Sequence, residues 1–205
     1  MTERTQPAST SHEWLLLLLA AATLTPAAPV EYILAPAPDN RFELTVEKTG
    51  LYRGKKHLFV FERYDGWLVY DPEMPENSQV QFRLESQSIV CKDTWVSPKD
   101  LKKIQDAALN DMLAAGRYQY VTFTSDTVLR AGPDRYEVRG RLTIRDTQKP
   151  ATVLVTVKAG ETLSFEGNAV VKMTDFRLKP PSAALGLIGT RDEMKVSFTL
   201  SPVLR

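Results

Sequence analysis

Apolar and polar residues alternate along this chain from Tyr32 onward, which is the pattern of β-strands with one buried face. The longest run spans residues 136–144, where apolar residues hold the even positions and charged residues or threonine hold the odd ones. Similar runs predict strands around residues 42–46, 80–84, 121–123, 153–157, 163–173 and 196–200, and the continuous apolar runs at 58–61 and 67–70 are also interpreted as strands. At least eight strands with short connections indicate an all-β fold, an antiparallel sheet or barrel of about eight strands.

One amphipathic helix is predicted between two of these strands, at about residues 98–115. Ser97 and Pro98 supply a helix N-cap and first position, and Gly116 is predicted to end the helix in the left-handed conformation. Between them, apolar residues recur at helical spacing: Leu101, Ile104, Ala108, Leu109, Met112 and Leu113. This apolar face either caps an open end of a barrel or covers one of its outer faces, and the sequence leaves both alternatives open.

The first 28 residues are predicted to be a secretory signal peptide. The run from Trp14 to Leu24 contains five consecutive leucines, and Pro26 and two alanines follow it. It is much shorter than the roughly 20 residues that a membrane-spanning helix requires and has the length of a signal's apolar region. We predict cleavage near Ala28 and a periplasmic or secreted domain of residues 29–205, with an uncleaved interfacial anchor as the alternative.

Composition narrows the classes of function. Lys and Arg total 26 and Asp and Glu total 25, which gives a net charge of +1. The chain therefore lacks the excess of basic residues that binding to nucleic acid requires, and nucleic acid is not an expected partner. Cys91 is the only cysteine, which excludes an internal disulfide and a cysteine-based zinc cluster. We expect no metal and no cofactor. An unpaired thiol of this kind is predicted to be a small buried apolar side chain.

Catalytic groups are scarce in the predicted mature chain. His57 is its only histidine, and no serine, histidine and acid arrangement or metal-ligand spacing surrounds it. We therefore predict no enzymatic activity, although a cavity-based hydrolase or isomerase remains a weaker alternative. His57 is expected at the end of a strand, and the alternative is that Lys55, Lys56 and His57 meet an acidic headgroup at the mouth of a barrel.

The apolar residues that are predicted to face inward on the strands are candidate ligand-binding residues. An eight-stranded barrel either fills its interior with side chains or holds one small ligand, and the same apolar residues serve both arrangements. The candidates on the strands are Phe42, Leu44, Phe82, Leu84, Phe123, Leu142, Ile144, Phe165 and Phe198, with Ile104 and Met112 of the helix as contacts of a lid. A filled barrel that acts as an envelope interaction module, with an envelope or membrane protein as partner, is the alternative to a carrier.

Several motifs resemble those of a known family. Residues 142–152, LTIRDTQKPAT, are similar to the LTI-x-G-x-T-K-P-V-T hairpin of the YceI-like, polyisoprenoid-binding proteins. Residues 39–44 (DNRFEL), 120–125 (YVTFTS), 174–178 (TDFRL) and 189–196 (GTRDEMKV) resemble other family segments in the family's order. The resemblance implies a lipocalin-like barrel, usually periplasmic or secreted, that holds an isoprenoid, an isoprenoid quinone or a fatty-acyl chain in its lumen.

Three departures from the family pattern fall at polar positions. The family's R-D-x-H-L stretch is replaced by residues 93–97 and the helix that follows, and residues 54–57 (GKKH) differ from the commonest family pattern. The first-strand V-K-H of the family is Val46, Glu47 and Lys48 here, so that a lysine stands in place of the histidine. Side chains at these positions could meet the headgroup of a ligand.

Overall fold

The alternating segments form twelve antiparallel strands within residues 28–160 and 162–205, the part of the chain that the computed structural model describes. The strands are β1 (Val30–Leu34), β2 (Arg41–Gly50), β3 (Lys56–Phe61), β4 (Tyr64–Tyr70), β5 (Gln79–Glu85), β6 (Ile89–Cys91), β7 (Tyr120–Gly132), β8 (Arg135–Ile144), β9 (Thr147–Lys158), β10 (Ser164–Lys172), β11 (Ile188–Leu200) and β12 (Val203–Leu204). The predicted all-β class is therefore confirmed.

The strands curl into a barrel because two long strands bend and change partners. β3 passes through Glu62 and Arg63 into β4, and β5 passes through a short turn at residues 86–88 into β6. β3 pairs with β2 and β6, whereas β4 pairs with β5, so hydrogen bonding runs from β2 around to β7, β8, β9, β10, β11 and back to β2. The ring has eight strand positions. The structure contains twelve strands rather than the predicted eight because the bends divide two long strands and because β1 and β12 add a further pair of strands at the edge of β4.

Inward-facing apolar side chains form the core. The ring of Phe42 on β2 stacks on Phe82 and Phe198, with centroids 5.3 and 5.9 Å apart, and meets Phe61 edge to face. Such offset and edge-to-face aromatic pairs contribute stability beyond the area they bury. These contacts connect β2 with its neighbours β3 and β11 and with β5, so the aromatic cluster stabilises one side of the barrel.

The predicted helix is present as α1 (Pro98–Asp106), which continues as a π-helical segment over Ala107–Met112. Its side chains Ile104, Ala107, Ala108 and Met112 line the interior of the barrel. Gln105 fixes the helix to β6 because its amide nitrogen donates to the Ile89 carbonyl and its amide oxygen accepts from the Cys91 N–H. The helix therefore caps one end of the barrel, which decides between the two alternatives that the sequence left open.

The end of the helix differs from the prediction. Gly116 does not have the left-handed conformation that we expected of it; the residue with positive φ is Ala114, at 46°. The left-handed residue comes two positions earlier than predicted because the helix ends in a wider π-helical segment. At this end the Ala115 N–H donates to the Leu109 carbonyl at 2.8 Å. The assignment of Gly116 as the helix stop was wrong.

Removal of the helix N-cap is expected to destabilise the protein. The Ser97 hydroxyl accepts a hydrogen bond from the Asp100 N–H at 3.2 Å, as the sequence predicted. We expect Ser97→Ala to lower the free energy of unfolding by about 0.5 to 2 kcal/mol, because a helical N–H loses its acceptor. Chemical denaturation measures this change, and an unfolding midpoint equal to that of wild type would contradict the role of the cap. Ser201→Ala, outside the helix, controls for an unspecific effect of losing a hydroxyl.

The predicted signal peptide lies outside the described residues, except for Ala28. Val30, where β1 starts, follows the predicted cleavage position closely. No helix in the described ranges is both long and apolar enough to cross a membrane.

Candidate ligand-binding cavity

The barrel encloses a cavity of about 420 Å³. Binding sites for small molecules usually have volumes of about 300 to 1,000 Å³, so this space is large enough for a ligand. Its wall consists almost entirely of apolar side chains from β2 to β11, and α1 covers one end. The interior thus contains space that side chains do not fill, which favours the open lumen over the filled core.

All eleven predicted site residues lie on the wall of this single cavity. Nine of them lie on strands around its circumference, and Ile104 and Met112 lie on α1 and the π-helical segment that cap one end. The residues are Phe42, Leu44, Phe82, Leu84, Ile104, Met112, Phe123, Leu142, Ile144, Phe165 and Phe198. The structure brings them together on the inner face of the barrel, as the alternation along each strand predicted. Their contact with a ligand stays a prediction.

Glycines opposite two phenylalanines help to keep the lumen open. Gly167 on β10 pairs with Phe198 on β11, and a Cβ atom added to Gly167 would lie 2.1 Å from the Cζ of that ring. A Cβ atom added to Gly140 would likewise lie 2.7 Å from the Cζ of Phe123. A larger residue at position 167 would therefore push the Phe198 ring into the lumen, and at position 140 it would also meet the Thr124 carbonyl oxygen, 2.2 Å from the added Cβ atom.

The helix-capped end of the cavity carries polar side chains. Lys48 is the last inward-facing residue of β2 after Phe42, Leu44 and Val46, and its amine donates to the Thr190 hydroxyl at 3.4 Å. Burial lowers the pKa of Lys48, although the nearby Asp93 carboxylate opposes this effect. The end of the cavity under α1 is therefore the place where a polar group of a ligand can be accommodated.

His57 is held beside Lys48 by buried contacts. Its Nδ1 lies 2.5 Å from Asp93 Oδ2, and its ring stacks on Trp95 with centroids 5.4 Å apart. The other Asp93 oxygen accepts from the Leu58 N–H at 2.8 Å. The side chain of Asp93 is only 1% exposed, so both of its oxygens obtain partners inside the protein. His57 lies at the start of β3, where the sequence predicted a strand end, and it is a fixed, buried part of the cavity wall.

The two neighbouring lysines point elsewhere. Lys55 is exposed and lies over the Trp95 ring, 5.7 Å from its centroid, and Lys56 is exposed on β3. Only His57 of the predicted headgroup set lines the cavity. Sequence analysis noted Lys48 as a position that could meet a headgroup but did not include it among the predicted ligand-binding residues, although it shares the inward parity of Val46.

Cys91 lies in the core, as predicted for an unpaired small apolar residue. Its side chain is buried and its thiol is free. Burial raises the pKa of the Cys91 thiol to about 11, so the reactive thiolate is scarce at neutral pH. The residue therefore has a packing role in the described structure.

Comparison with known proteins identifies the fold and the family. A sequence profile described as the YceI-like domain matches residues 39–201, most of the chain. The chain belongs to the YceI-like family. Protein YceI of Escherichia coli O157:H7 is 28% identical over 139 residues, covering 62% of this chain and 69% of that protein. A UPF0312 protein of Azotobacter vinelandii is 27% identical over 139 residues, with the same coverage of 62% and 69%.

Solved structures share the YceI-like architecture. BcnA of Burkholderia cenocepacia has a TM-score of 0.61 at 23% identity and covers 78% of this chain and 94% of its own. A polyisoprenoid binding domain from Saccharophagus degradans has a TM-score of 0.57 at 13% identity, with 84% and 98% coverage. At these identities the two structures establish the fold. The resemblance predicted from the motifs is confirmed, and its LTIRDTQKPAT segment forms the hairpin between β8 and β9.

Proposed function

We propose that this YceI-like protein binds one long apolar molecule, such as a polyisoprenoid, an isoprenoid quinone or a fatty chain, inside the barrel and acts as its carrier. The observation that carries this proposal is the apolar cavity of about 420 Å³ enclosed by the eight strand positions and α1. The polyisoprenoid binding domain with the same fold supports it.

The cavity offers the physical driving force that such a ligand requires. Each methylene group transferred from water to an apolar site contributes about 0.8 kcal/mol. A few isoprene units therefore suffice for roughly micromolar affinity after the cost of association is subtracted. A hydrocarbon chain also places no polar group against the apolar wall, where it would lack a hydrogen-bond partner.

Binding rather than catalysis is supported by the polar groups at the cavity. His57 is held by Asp93 and stacked on Trp95, and within the described residues no serine, threonine or cysteine forms a hydrogen bond with its ring. A nucleophile activated by a histidine base would need such a contact. The open lumen also disfavours the filled barrel that acts only through its outer surface.

An extracytoplasmic location is part of the proposal and is supported by the apolar run before Ala28. N-terminal sequencing of the protein isolated from the cells that produce it tests this point. A start near Pro29 is expected, and an envelope or extracellular form that begins at Met1 would contradict cleavage.

Binding is tested with a delipidated sample and a fluorescent fatty-acyl or prenyl probe. Wild type is expected to bind the probe saturably, and Leu142→Ser is expected to weaken binding about tenfold because the wall loses apolar contact and gains a hydroxyl. Arg141→Ser is the matched control, since Arg141 points outward and pairs with Asp126. No saturable binding by wild type, or equal losses in both variants, would contradict the proposal.

A further inference from the structure

The charged side chains at the helix-capped end of the cavity indicate the chemical class of ligand that this end can bind. Lys48 places a half-buried amine on the apolar wall, with the Thr190 hydroxyl at 3.4 Å as its hydrogen-bond partner. Among the described residues no carboxylate oxygen lies within 4 Å of this amine. A cation removed from water without an ionic partner costs free energy, so an anion at this point would be bound favourably.

The nearest acidic groups are already engaged. Asp93 interacts with His57 and with the Leu58 N–H, and Glu47, the neighbour of Lys48 on β2, faces outward and pairs with Arg191 and Lys195. Lys103 of α1 also lines this end of the cavity, but its amine pairs with Asp100 at 3.2 Å. Lys48 is left as the cation whose charge the surrounding described side chains do not balance by direct contact.

Strand pairing places the His57 imidazole beside Lys48. His57 is directly opposite Val46 in the pairing of β2 with β3, so Lys48 lies diagonally across from His57. Diagonal neighbours of this kind are about 7–8 Å apart, a distance that one headgroup with several oxygens can bridge. Both side chains line the cavity, and the apolar wall continues from them to Phe165 and Leu200.

We propose that the physiological ligand is an acidic amphiphile whose anionic headgroup, a carboxylate or a phosphate, binds Lys48 next to His57 beneath α1 while its chain fills the lumen. This inference rests on the proposed function, because it assigns the orientation and class of a ligand in the same cavity. Uncharged chains of equal length then bind more weakly.

The test compares acids with alcohols that have identical tails. Full-length delipidated protein is titrated with palmitic acid and hexadecanol, and with farnesyl phosphate and farnesol, by displacement of a fluorescent acyl probe. Wild type is expected to bind at least one acid about tenfold or more tightly than its alcohol, since hydrogen bonds to charged groups are the stronger class. The pair with the larger difference identifies a carboxylate or a phosphate as the headgroup.

Lys48→Met is the decisive variant because it retains the apolar stem and removes the charge. It is expected to reduce the affinity for the acid to that for the alcohol and to leave alcohol binding unchanged. Lys56→Met, on the exposed side of β3, is the matched control and is expected to retain the acid preference. Thermal unfolding of the delipidated variants verifies that both are folded.

The possible failures are distinguishable. Equal affinity of wild type for acid and alcohol, or an acid preference that persists in Lys48→Met, would overturn the headgroup assignment and leave the carrier function intact. A wild-type protein that binds neither acids nor alcohols would overturn the proposed function itself.

Discussion

Replacement of Ala169 by tryptophan is expected to abolish ligand binding while the barrel stays folded. Ala169 lies on the inward face of β10, opposite Val196, and both residues line the cavity. The indole ring would occupy lumen space that a ligand needs. In a close-packed core the same change would overpack the interior and cost about 1 to 3 kcal/mol or more. We expect the affinity for the probe to fall at least a hundredfold because the indole ring fills the space of the ligand. The free energy of unfolding is expected to fall by less than the overpacking cost.

Val170→Trp is the matched control for this experiment. Val170 is the next residue of β10, points outward and is 63% exposed. It is expected to retain both probe binding and stability. Fluorescence titration and thermal unfolding of the two variants measure the effects. A folded Ala169→Trp variant that binds the probe as wild type does would show that the ligand lies elsewhere, and unfolding of this variant alone would indicate a filled core.

Replacement of Gly167 by alanine is expected to lower both stability and affinity through the Phe198 ring. The added methyl group cannot remain 2.1 Å from the ring, so Phe198 must turn into the lumen. We expect a destabilisation of about 1 to 3 kcal/mol, as is typical of overpacking, together with weaker probe binding. Chemical denaturation and titration measure these effects.

A double-mutant cycle attributes this cost to the ring. In a Phe198→Val background the same Gly167→Ala change is expected to cost far less, because no ring remains in its path, and the coupling should fall between about 0.5 and 3 kcal/mol. An equal cost in both backgrounds would show that Gly167 is required for another reason. The cycle thereby tests whether close approach of glycine and phenylalanine holds the lumen open.

Much of the fold followed from the sequence because strand parity is a local property. Alternation at Phe42, Leu44 and Val46 determines which side chains face inward, and it located the wall residues correctly. Alternation shows which side chains face inward but not whether they fill the space between opposite strands. The open lumen could therefore not be predicted. That depends on pairings such as Gly167 with Phe198, which are set by register between separate strands.

The polar end of the cavity was harder to predict for two physical reasons. Lys48 shares the inward parity of Val46, but a lysine at the end of a strand usually reaches solvent, whereas here it is half-buried on the cavity wall. His57 and Asp93 are 36 residues apart, and the bends between β3 and β6 bring them into contact. The helix end was missed because a π-helical turn, which the sequence does not signal, placed Ala114 rather than Gly116 in the left-handed conformation.

Native mass spectrometry of the protein isolated from the cells that produce it tests the central claim most directly. If the barrel carries a long apolar molecule, the folded protein is expected to show one additional mass of a few hundred daltons or more, a size typical of ligands for such cavities. This mass should disappear on unfolding and be recovered in an organic extract. Folded protein of bare polypeptide mass, which after delipidation also takes up neither a fatty-acyl nor a prenyl ligand, would contradict the account.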